Sequence, residues 1–298
     1  MDAPDDELQG RVAALMGKRP AGWRRAHGGY TPAQRWVVGF SDGSTAFVKS
    51  ATGSPASPID EWLRREHDVY SRLEASFLPH LLGWDDDGRQ PILVLEDLSG
   101  GFWPPPWTEE RVEAVLQTLA QVRATSLDGL PSAPELDPDL TSHWREVEAE
   151  PAPFLSLGLC NAGWLDAALP VLIVAALQAE RAGNDLVHFD VRSDNLCFID
   201  GRVLLVDWNF ASRGNGEIDV AFLLPSLHSE GGPAPESLLP DVPQWAAATS
   251  GFFAARAGQA PIPNAPRVRH VQLAQLRSAL PWAVRALGLP PLDGPNAP

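Results

Sequence analysis

The chain has 298 residues, enough for one large domain or two lobes, and its acidic balance limits what it binds. A formal net charge of -15 argues against a non-specific nucleic-acid or anionic-membrane partner and is compatible with a cationic ligand. The two cysteines, Cys160 and Cys197, are too few for a disulfide framework and lack a zinc-binding spacing, which favours the reduced cytoplasm. Residues 1–7 are acidic rather than signal-like, and the most apolar window, 167–177, is too short to span a membrane.

The first hundred residues predict a small lobe that contains two helices and a sheet. Apolar spacing predicts a short amphipathic helix over residues 6–16 and a longer helix over 59–73. Runs rich in β-formers predict strands over residues 34–40, 44–49, 79–84 and 91–96. Asp42-Gly43, between the first two strands, supplies the positive φ of a hairpin turn. These segments predict a mixed lobe of about four or five strands and one packed helix.

From Thr108 onward the pattern turns helical. Thr108 can cap a helix whose apolar residues recur on one face. Further helices are predicted over roughly 138–149, 161–182, 217–226, 241–257 and 267–287. Two short strands are predicted around the turn Asp200-Gly201. Residues 96–101 have little regular pattern and suit a hinge before this helical part.

Oxygen-bearing side chains gather in one short stretch after the third of these helices. The pattern His188-x-Asp190-x-Arg192-x-x-Asn195 has the layout of a kinase catalytic loop, and Asp207 ends the next apolar run. In such a site an aspartate meets the acceptor hydroxyl, while an amide and a second carboxylate hold Mg²⁺ against a triphosphate. Taken alone, Asp190 is most simply a turn aspartate and Asp207 a strand-end aspartate. Their spacing, with one hairpin between them, favours phosphoryl transfer, and Arg192 stands where a cation reaches the transferring group.

A lysine on a predicted strand supplies a second part of such a site. Lys49 closes an apolar strand, and Glu66 lies on the next helix, so that a Lys-Glu pair can present the ammonium to the α- and β-phosphates. The alternatives are a surface lysine and a solvated helix carboxylate. Asp219 opens a predicted helix and is expected, with His188, to brace the catalytic loop.

A glycine-bearing loop precedes the predicted hairpin. Its residues Gly29 and Thr31 are candidates for covering phosphates through backbone amides. A loop with two glycines is a weak signal for this role.

With these residues, the sequence resembles the aminoglycoside phosphotransferase and choline kinase family. The resemblance runs in order through residues 28–29, 47–49, 66, 93–98, 188–195, 206–208 and 218–219. It implies that Asp190 is the catalytic aspartate and that Asn195 and Asp207 are the metal ligands. It also implies that Lys49 and Glu66 hold the phosphates and that the backbone of Glu96 to Leu98 meets adenine. Phe189 departs from the His-Gly-Asp turn that the family often shows.

The resemblance implies an α+β, two-lobed protein-kinase-like fold with a small antiparallel-sheet N-lobe and a large, mainly helical C-lobe. Residues 1–98 would be the nucleotide-binding lobe, and residues 99–298 would carry the catalytic loop and the acceptor pocket. The implied enzyme moves a γ-phosphate from ATP or GTP, with Mg²⁺, to a hydroxyl of a small molecule. Its acceptor, its oligomeric state and its choice between ATP and GTP stay open.

Two other functions compete with this one. A catalytically silent nucleotide-binding regulatory module would use the same fold, but the complete set of catalytic residues argues against it. A protein kinase is disfavoured because no activation segment with an Ala-Pro-Glu-like end follows Asp207.

Overall fold

The computed structural model of the chain describes residues 3–26, 33–51, 58–263 and 265–298. Within these ranges the strands are β1 (Pro20–Arg25), β2 (Gln34–Phe40), β3 (Thr45–Ser50), β4 (Leu81–Asp85), β5 (Ile92–Leu95), β6 (Asp185–Val187), β7 (Leu196–Ile199), β8 (Arg202–Leu205) and β9 (Ser212–Gly214). The α-helices are α1 (Asp6–Met16), α2 (Ile59–Arg72), α3 (Glu109–Arg123), α4 (Ala133–Leu136), α5 (His143–Ala149), α6 (Ala152–Leu155), α7 (Ala162–Ala176), α8 (Glu217–Ser229), α9 (Pro235–Leu238), α10 (Pro243–Ala257) and α11 (Val268–Ala286).

The chain packs into two compact units. The first unit contains Met1–Pro104 and Asp194–Ala211, and the second contains Pro105–Ser193 and Ser212–Pro298. The stretch 194–211 therefore packs with the N-terminal part of the chain, although it lies far along the sequence. The family resemblance implied a nucleotide-binding lobe before residue 99 and a catalytic lobe after residue 98. This division of roles stays a prediction.

The first unit is built on a five-stranded antiparallel sheet with the order β1-β2-β3-β5-β4. Strand residues alternate between the two faces. One face packs on α1, where Leu8 and Val12 are fully buried against Trp36, Val38 and Val48. These residues form the hydrophobic core between α1 and the sheet. The side chains on the opposite face of the sheet point away from this core.

Helix α2 and the hairpin β7–β8 complete the first unit. The ring of Trp62 on α2 meets Phe210 edge-on, with the ring centroids 5.8 Å apart. The Leu205 amide at the end of β8 donates to the Phe77 carbonyl at 2.8 Å. These contacts fix the end of β8, the position from which Asp207 follows.

The segment after β5 is tied to β7 through its backbone. Phe102 and Phe198 exchange two hydrogen bonds of 2.8 Å each. A Cβ atom on Gly101 would lie only 2.3 Å from the sulfur of Cys197, so glycine is the residue that permits this close approach.

The second unit is mainly helical and is centred on α10. This helix is rich in small buried residues and contacts α5, α7, α8 and α11. Small residues let neighbouring elements approach closely: Trp144 of α5 donates its indole N–H to the Ala247 carbonyl at 2.8 Å. The short strands β6 and β9 pair with each other and contact α3 and α4, respectively, and β6 ends at Val187, directly before the loop that begins at His188. None of the helices in the described ranges has the length and apolarity that crossing a membrane requires.

The predicted α+β fold with an antiparallel sheet in the N-terminal part and helices in the C-terminal part is confirmed. The helices predicted over residues 6–16 and 59–73 correspond to α1 and α2, and Thr108 caps α3 by accepting from the Arg111 amide. The sequence did not predict β1, because Pro20–Arg25 combines a proline and a glycine with mostly exposed side chains.

Candidate active site

A cavity of about 390 Å³ lies in the first unit, within the size range of small-molecule sites. Its lining comes from the sheet, from the segment after β5 and from the stretch around the β7–β8 hairpin. The lining includes Arg35, Val37, Phe47, Glu66, Leu95, Glu96, Leu98, Asn195 and Asp207.

The sheet presents two rows of side chains on its cavity face. Residues that lie directly opposite each other on antiparallel neighbours point to the same side. Val37, Phe47 and Leu95 are opposite one another and make an apolar row. Two residues further along the strands, Arg35 and Lys49 are also opposite one another and make a cationic row. The cavity therefore has one apolar region and one charged region.

Lys49 lies between two carboxylates in the charged region. Its Nζ atom is 2.7 Å from Oε2 of Glu66, on α2, and it also donates to the Asp207 carboxylate. Lys49 and Glu66 are buried, whereas the Asp207 side chain is 27% exposed. The ion pairs therefore fix the ammonium in the interior, while the Asp207 carboxylate remains accessible to a ligand in the cavity.

The charges in this cluster affect one another strongly. Burial disfavours the charged form of Lys49, but the attraction of Asp207 and Glu66 outweighs it and raises the pKa of the ammonium. Burial, with repulsion from Asp207, outweighs the attraction of Lys49 and raises the pKa of the Glu66 carboxyl. With one cation and two ionised carboxylates, the cluster would carry a formal charge of minus one, which favours binding of a further cation.

Asn195 and Asp207 are the candidate metal ligands, and both line the cavity. The Val206 amide donates to the Asn195 carbonyl at 3.1 Å, which joins the two ends of the β7–β8 hairpin. Asp207 has φ of 64°, a left-handed conformation that aspartate tolerates better than most residues. Amide and carboxylate oxygens are the hard ligands that Mg²⁺ takes, so this donor set fits the ion. In the part of the chain that the structure describes, no cluster of three or more His, Cys, Asp or Glu side chains could hold a metal.

The predicted hinge residues also line the cavity. The Glu96 side chain forms an ion pair with Arg202 and accepts from the His80 amide at 3.1 Å. The Leu98 carbonyl accepts from the Gly101 amide at 3.0 Å and from the Trp103 indole at 3.4 Å. The Leu98 carbonyl is therefore engaged within the chain.

The loop with Asp190 belongs to the second unit. The Asp190 amide donates to Nδ1 of the buried His188 at 3.3 Å, and Nε of Arg192 lies 3.5 Å from the Asp190 carboxylate. Phe189 has φ of 71°, which is unfavourable for a bulky residue. This conformation places strain of about 1–3 kcal/mol next to Asp190.

Asp219 of α8 holds the backbone of this loop through two hydrogen bonds. Its two carboxylate oxygens accept from the His188 and Phe189 amides, each at 2.8 Å. Burial is the main cause that raises the pKa of Asp219 to about 7, against the two amide hydrogen bonds, and repulsion from Asp190 adds to the rise. The structure thus places Asp219 and His188 against the backbone that carries Asp190.

We expect the Asp219→Asn variant to lose stability, and to lose more of it at pH 5 than at pH 8. Asparagine offers one oxygen to two amides, so one buried N–H loses its partner at a cost of about 1–3 kcal/mol. In the wild type, the raised pKa means that the folded protein keeps a proton that the unfolded chain releases between pH 3.8 and about 7. Wild-type stability therefore falls as the pH rises through this window, and the variant lacks this fall.

Denaturant unfolding of the wild type and the Asp219→Asn variant at both pH values checks this expectation. Other titrating groups are common to the two proteins and cancel in the difference. A difference in unfolding free energy that is the same at pH 5 and pH 8 would contradict the raised pKa.

The sequence did not point to a second anchor of the loop. Ser193 donates its hydroxyl to one oxygen of Glu230 at 2.6 Å, and Trp107 donates its indole N–H to the other oxygen at 2.8 Å. These partners lie 37 and 123 residues apart from Glu230 in sequence, so no local pattern could have indicated them. The predicted phosphate-covering residues Gly29 and Thr31 lie outside the described residues.

The fold is that of the protein-kinase-like phosphotransferases. The model of the phosphotransferase enzyme family, APH, matches residues 22–249, and the chain belongs to this family. The matched range contains every residue that the sequence predicted for the site. No curated protein sequence matches the chain.

Solved structures of small-molecule kinases and phosphotransferases resemble the chain. A protein assigned as a fructosamine-3-kinase from Thermobifida fusca is 17% identical, with a TM-score of 0.54 over 92% of this chain and 100% of its own. A spectinomycin phosphotransferase in complex with ADP and spectinomycin is 14% identical, with a TM-score of 0.48 over 97% of this chain and 90% of its own. An amicoumacin kinase in complex with AMP-PNP and Ca²⁺ is 12% identical, with a TM-score of 0.49 over 96% and 92%. At such identities the likeness concerns the fold.

Proposed function

We propose that the protein is a Mg²⁺- and nucleoside-triphosphate-dependent phosphotransferase that moves a γ-phosphate to a hydroxyl of a small molecule. The observation that carries this proposal is the cluster of Lys49, Glu66 and Asp207 at the charged region of a cavity that also has an apolar region. This combination suits a nucleotide, because the base needs apolar contacts while the phosphates need cations.

The base of the nucleotide would lie against the apolar row of Val37, Phe47 and Leu95. Because the Leu98 carbonyl accepts hydrogen bonds from Gly101 and Trp103, the hinge would offer the base its Leu98 amide and its Glu96 carbonyl. Adenine presents a donor at N6 and an acceptor at N1 to such a pair of groups, whereas guanine presents the reverse order at the same ring positions and would have to shift along the hinge. The phosphates would extend toward Lys49, with Gly29 and Thr31 covering them.

Asn195 and Asp207 would hold the magnesium ion through an amide and a carboxylate oxygen. When bound, the ion would neutralise part of the negative charge of the phosphates. Asp207 is the residue of this pair that carries a formal charge, and its contact with Lys49 keeps that charge oriented toward the cavity.

Asp190 would orient the acceptor hydroxyl and accept its proton, and Arg192 would add positive charge for the transferring phosphoryl group. Both residues lie on the loop whose backbone His188 and Asp219 support. Supporting bonds of this kind hold a catalytic side chain in its working geometry.

We assign nucleotide binding to residues 1–98, and the catalytic loop with the acceptor pocket to residues 99–298. The acceptor would be an aminoglycoside-like molecule or another amino or sugar alcohol. A net charge of -15 attracts cations and so favours the amino-bearing members of this set. The same charge speaks against nucleic-acid and membrane partners. The cytoplasm is the proposed location, since it supplies the triphosphate and keeps thiols such as the buried, free Cys160 and Cys197 reduced.

A transfer assay with γ-labelled ATP and GTP tests this proposal across a panel of aminoglycosides, amino alcohols and sugar alcohols. We expect label on at least one acceptor, and we expect the transfer to stop when a chelator removes Mg²⁺. Nucleotide binding without transfer to any acceptor would favour the regulatory module. A chain that binds neither nucleotide would contradict both functions.

A further inference from the structure

A cation on the sheet extends the phosphate end of the proposed nucleotide site. Arg35 on β2 lies directly opposite Lys49 on β3, so both side chains point to the cavity face. Arg35 is half-buried and lines the cavity together with Glu66 and Asp207. We propose that Arg35 is a second phosphate-binding cation, an inference that rests on the proposed phosphotransferase function.

The charge balance of the cluster explains why a second cation is needed. Lys49 is shared between Glu66 and Asp207, so its charge is already compensated within the protein. A triphosphate would meet a cluster with a formal charge of minus one. With the positive charge of Arg35 added, the formal charges of the four side chains sum to zero. A bound metal ion would then make the sum positive.

The electrostatic influence of Arg35 agrees with its position. After the larger effects of burial and of the neighbouring charges, Arg35 pushes the pKa of Lys49 down by repulsion and that of Glu66 down by attraction. The cross-strand pairing of Arg35 with Lys49, and the cavity lining that Arg35 shares with Glu66 and Asp207, place the guanidinium beside the site where Lys49 would bind a phosphate.

The chemistry of the guanidinium suits this role. One Nη atom of Arg35 donates to the Ala33 carbonyl at 3.3 Å, which anchors the side chain near the start of β2. A guanidinium is a planar fork of N–H donors whose geometry matches two phosphate oxygens at once. Lysine at this position would supply the charge without the fork.

Calorimetric titration of the full chain with adenosine, ADP and ATP, or with the guanosine series if the wild type prefers it, tests the inference. The Arg35→Gln variant should bind the nucleoside within about twofold of wild type and should bind the diphosphate and triphosphate about 10- to 100-fold more weakly. The Arg35→Lys variant should fall between these two proteins, and it serves as the test if glutamine prevents folding.

The matched control is Arg19→Gln, which removes the same charge from an exposed arginine outside the cavity. It should bind all three ligands as the wild type does. An equal loss for nucleoside and nucleotides in the Arg35 variants, with normal binding by the wild type, would overturn the role of Arg35 alone. A wild type that binds no nucleotide would overturn the proposed function, and this inference with it.

Discussion

The Asp190→Asn variant should lose phosphoryl transfer by about 10²- to 10⁴-fold in kcat. Asparagine keeps the shape of the side chain, but its amide cannot accept the proton of the acceptor hydroxyl. The backbone bonds that hold the loop, from the His188 and Phe189 amides to Asp219 and from the Asp190 amide to His188, do not use the Asp190 side chain. The fold and the nucleotide affinity should therefore stay near wild type, and single-turnover kinetics with nucleotide titration measures both effects.

Asp200→Asn is the matched control for this variant. Asp200 is exposed at the turn between β7 and β8, and its φ of 49° is one that asparagine adopts readily. This control makes the same chemical change and should keep full activity. Turnover by Asp190→Asn within a factor of a few of wild type would remove Asp190 from the proposed mechanism.

The parts of the fold that the sequence predicted are those in which local signals agree. In β2 and β3 the β-forming residues, the Asp42-Gly43 turn and the apolar alternation all favour the same hairpin, and Gly43 has the expected positive φ, 85°. In β1 these signals conflict, because only Trp23 packs against the core while most other residues are exposed. The strand forms because β2 offers it a partner, which is information that the sequence of β1 does not contain.

The residues of the candidate site also differ in how strongly the local sequence indicates them. Asp190 and Asn195 lie close together in sequence, so a motif could indicate them. The contact of Lys49 with Asp207 joins residues 158 positions apart, and the prediction had paired Lys49 with Glu66 alone. The sequence alone did not indicate Arg35. Its position on the cavity face follows from the register of β2 against β3, because a shift by one residue would have turned its side chain to the other face.

The Lys49→Met variant should lose stability and phosphoryl transfer together. Removing one partner of a buried ion pair typically costs about 3–5 kcal/mol, because the remaining charge loses its compensation. Glu66 relieves part of this cost by taking up a proton, which burial already favours. Since a raised carboxyl pKa stabilises the fold at lower pH, the destabilisation should shrink as the pH is lowered from 8 to 5. Denaturant unfolding at several pH values measures it.

Lys18→Met is the control, because Lys18 is the other lysine of the chain and pairs with Asp42 in a partly exposed bridge of 2.9 Å. It should leave activity and stability nearly unchanged, as expected for a surface ion pair.

The double variant Lys49→Met/Glu66→Gln separates the structural role of Lys49 from its role toward phosphate. It removes both buried charges, so most of the lost stability should return, because buried pairs replaced as a unit are often neutral in stability. Phosphoryl transfer should stay lost, since the ammonium that would hold the phosphates is still absent. If activity returned together with stability, Lys49 would be needed only for folding. Stability that returned without activity would place Lys49 in phosphate binding, and the contact with Asp207 would then tie the lysine to the candidate metal ligand as well.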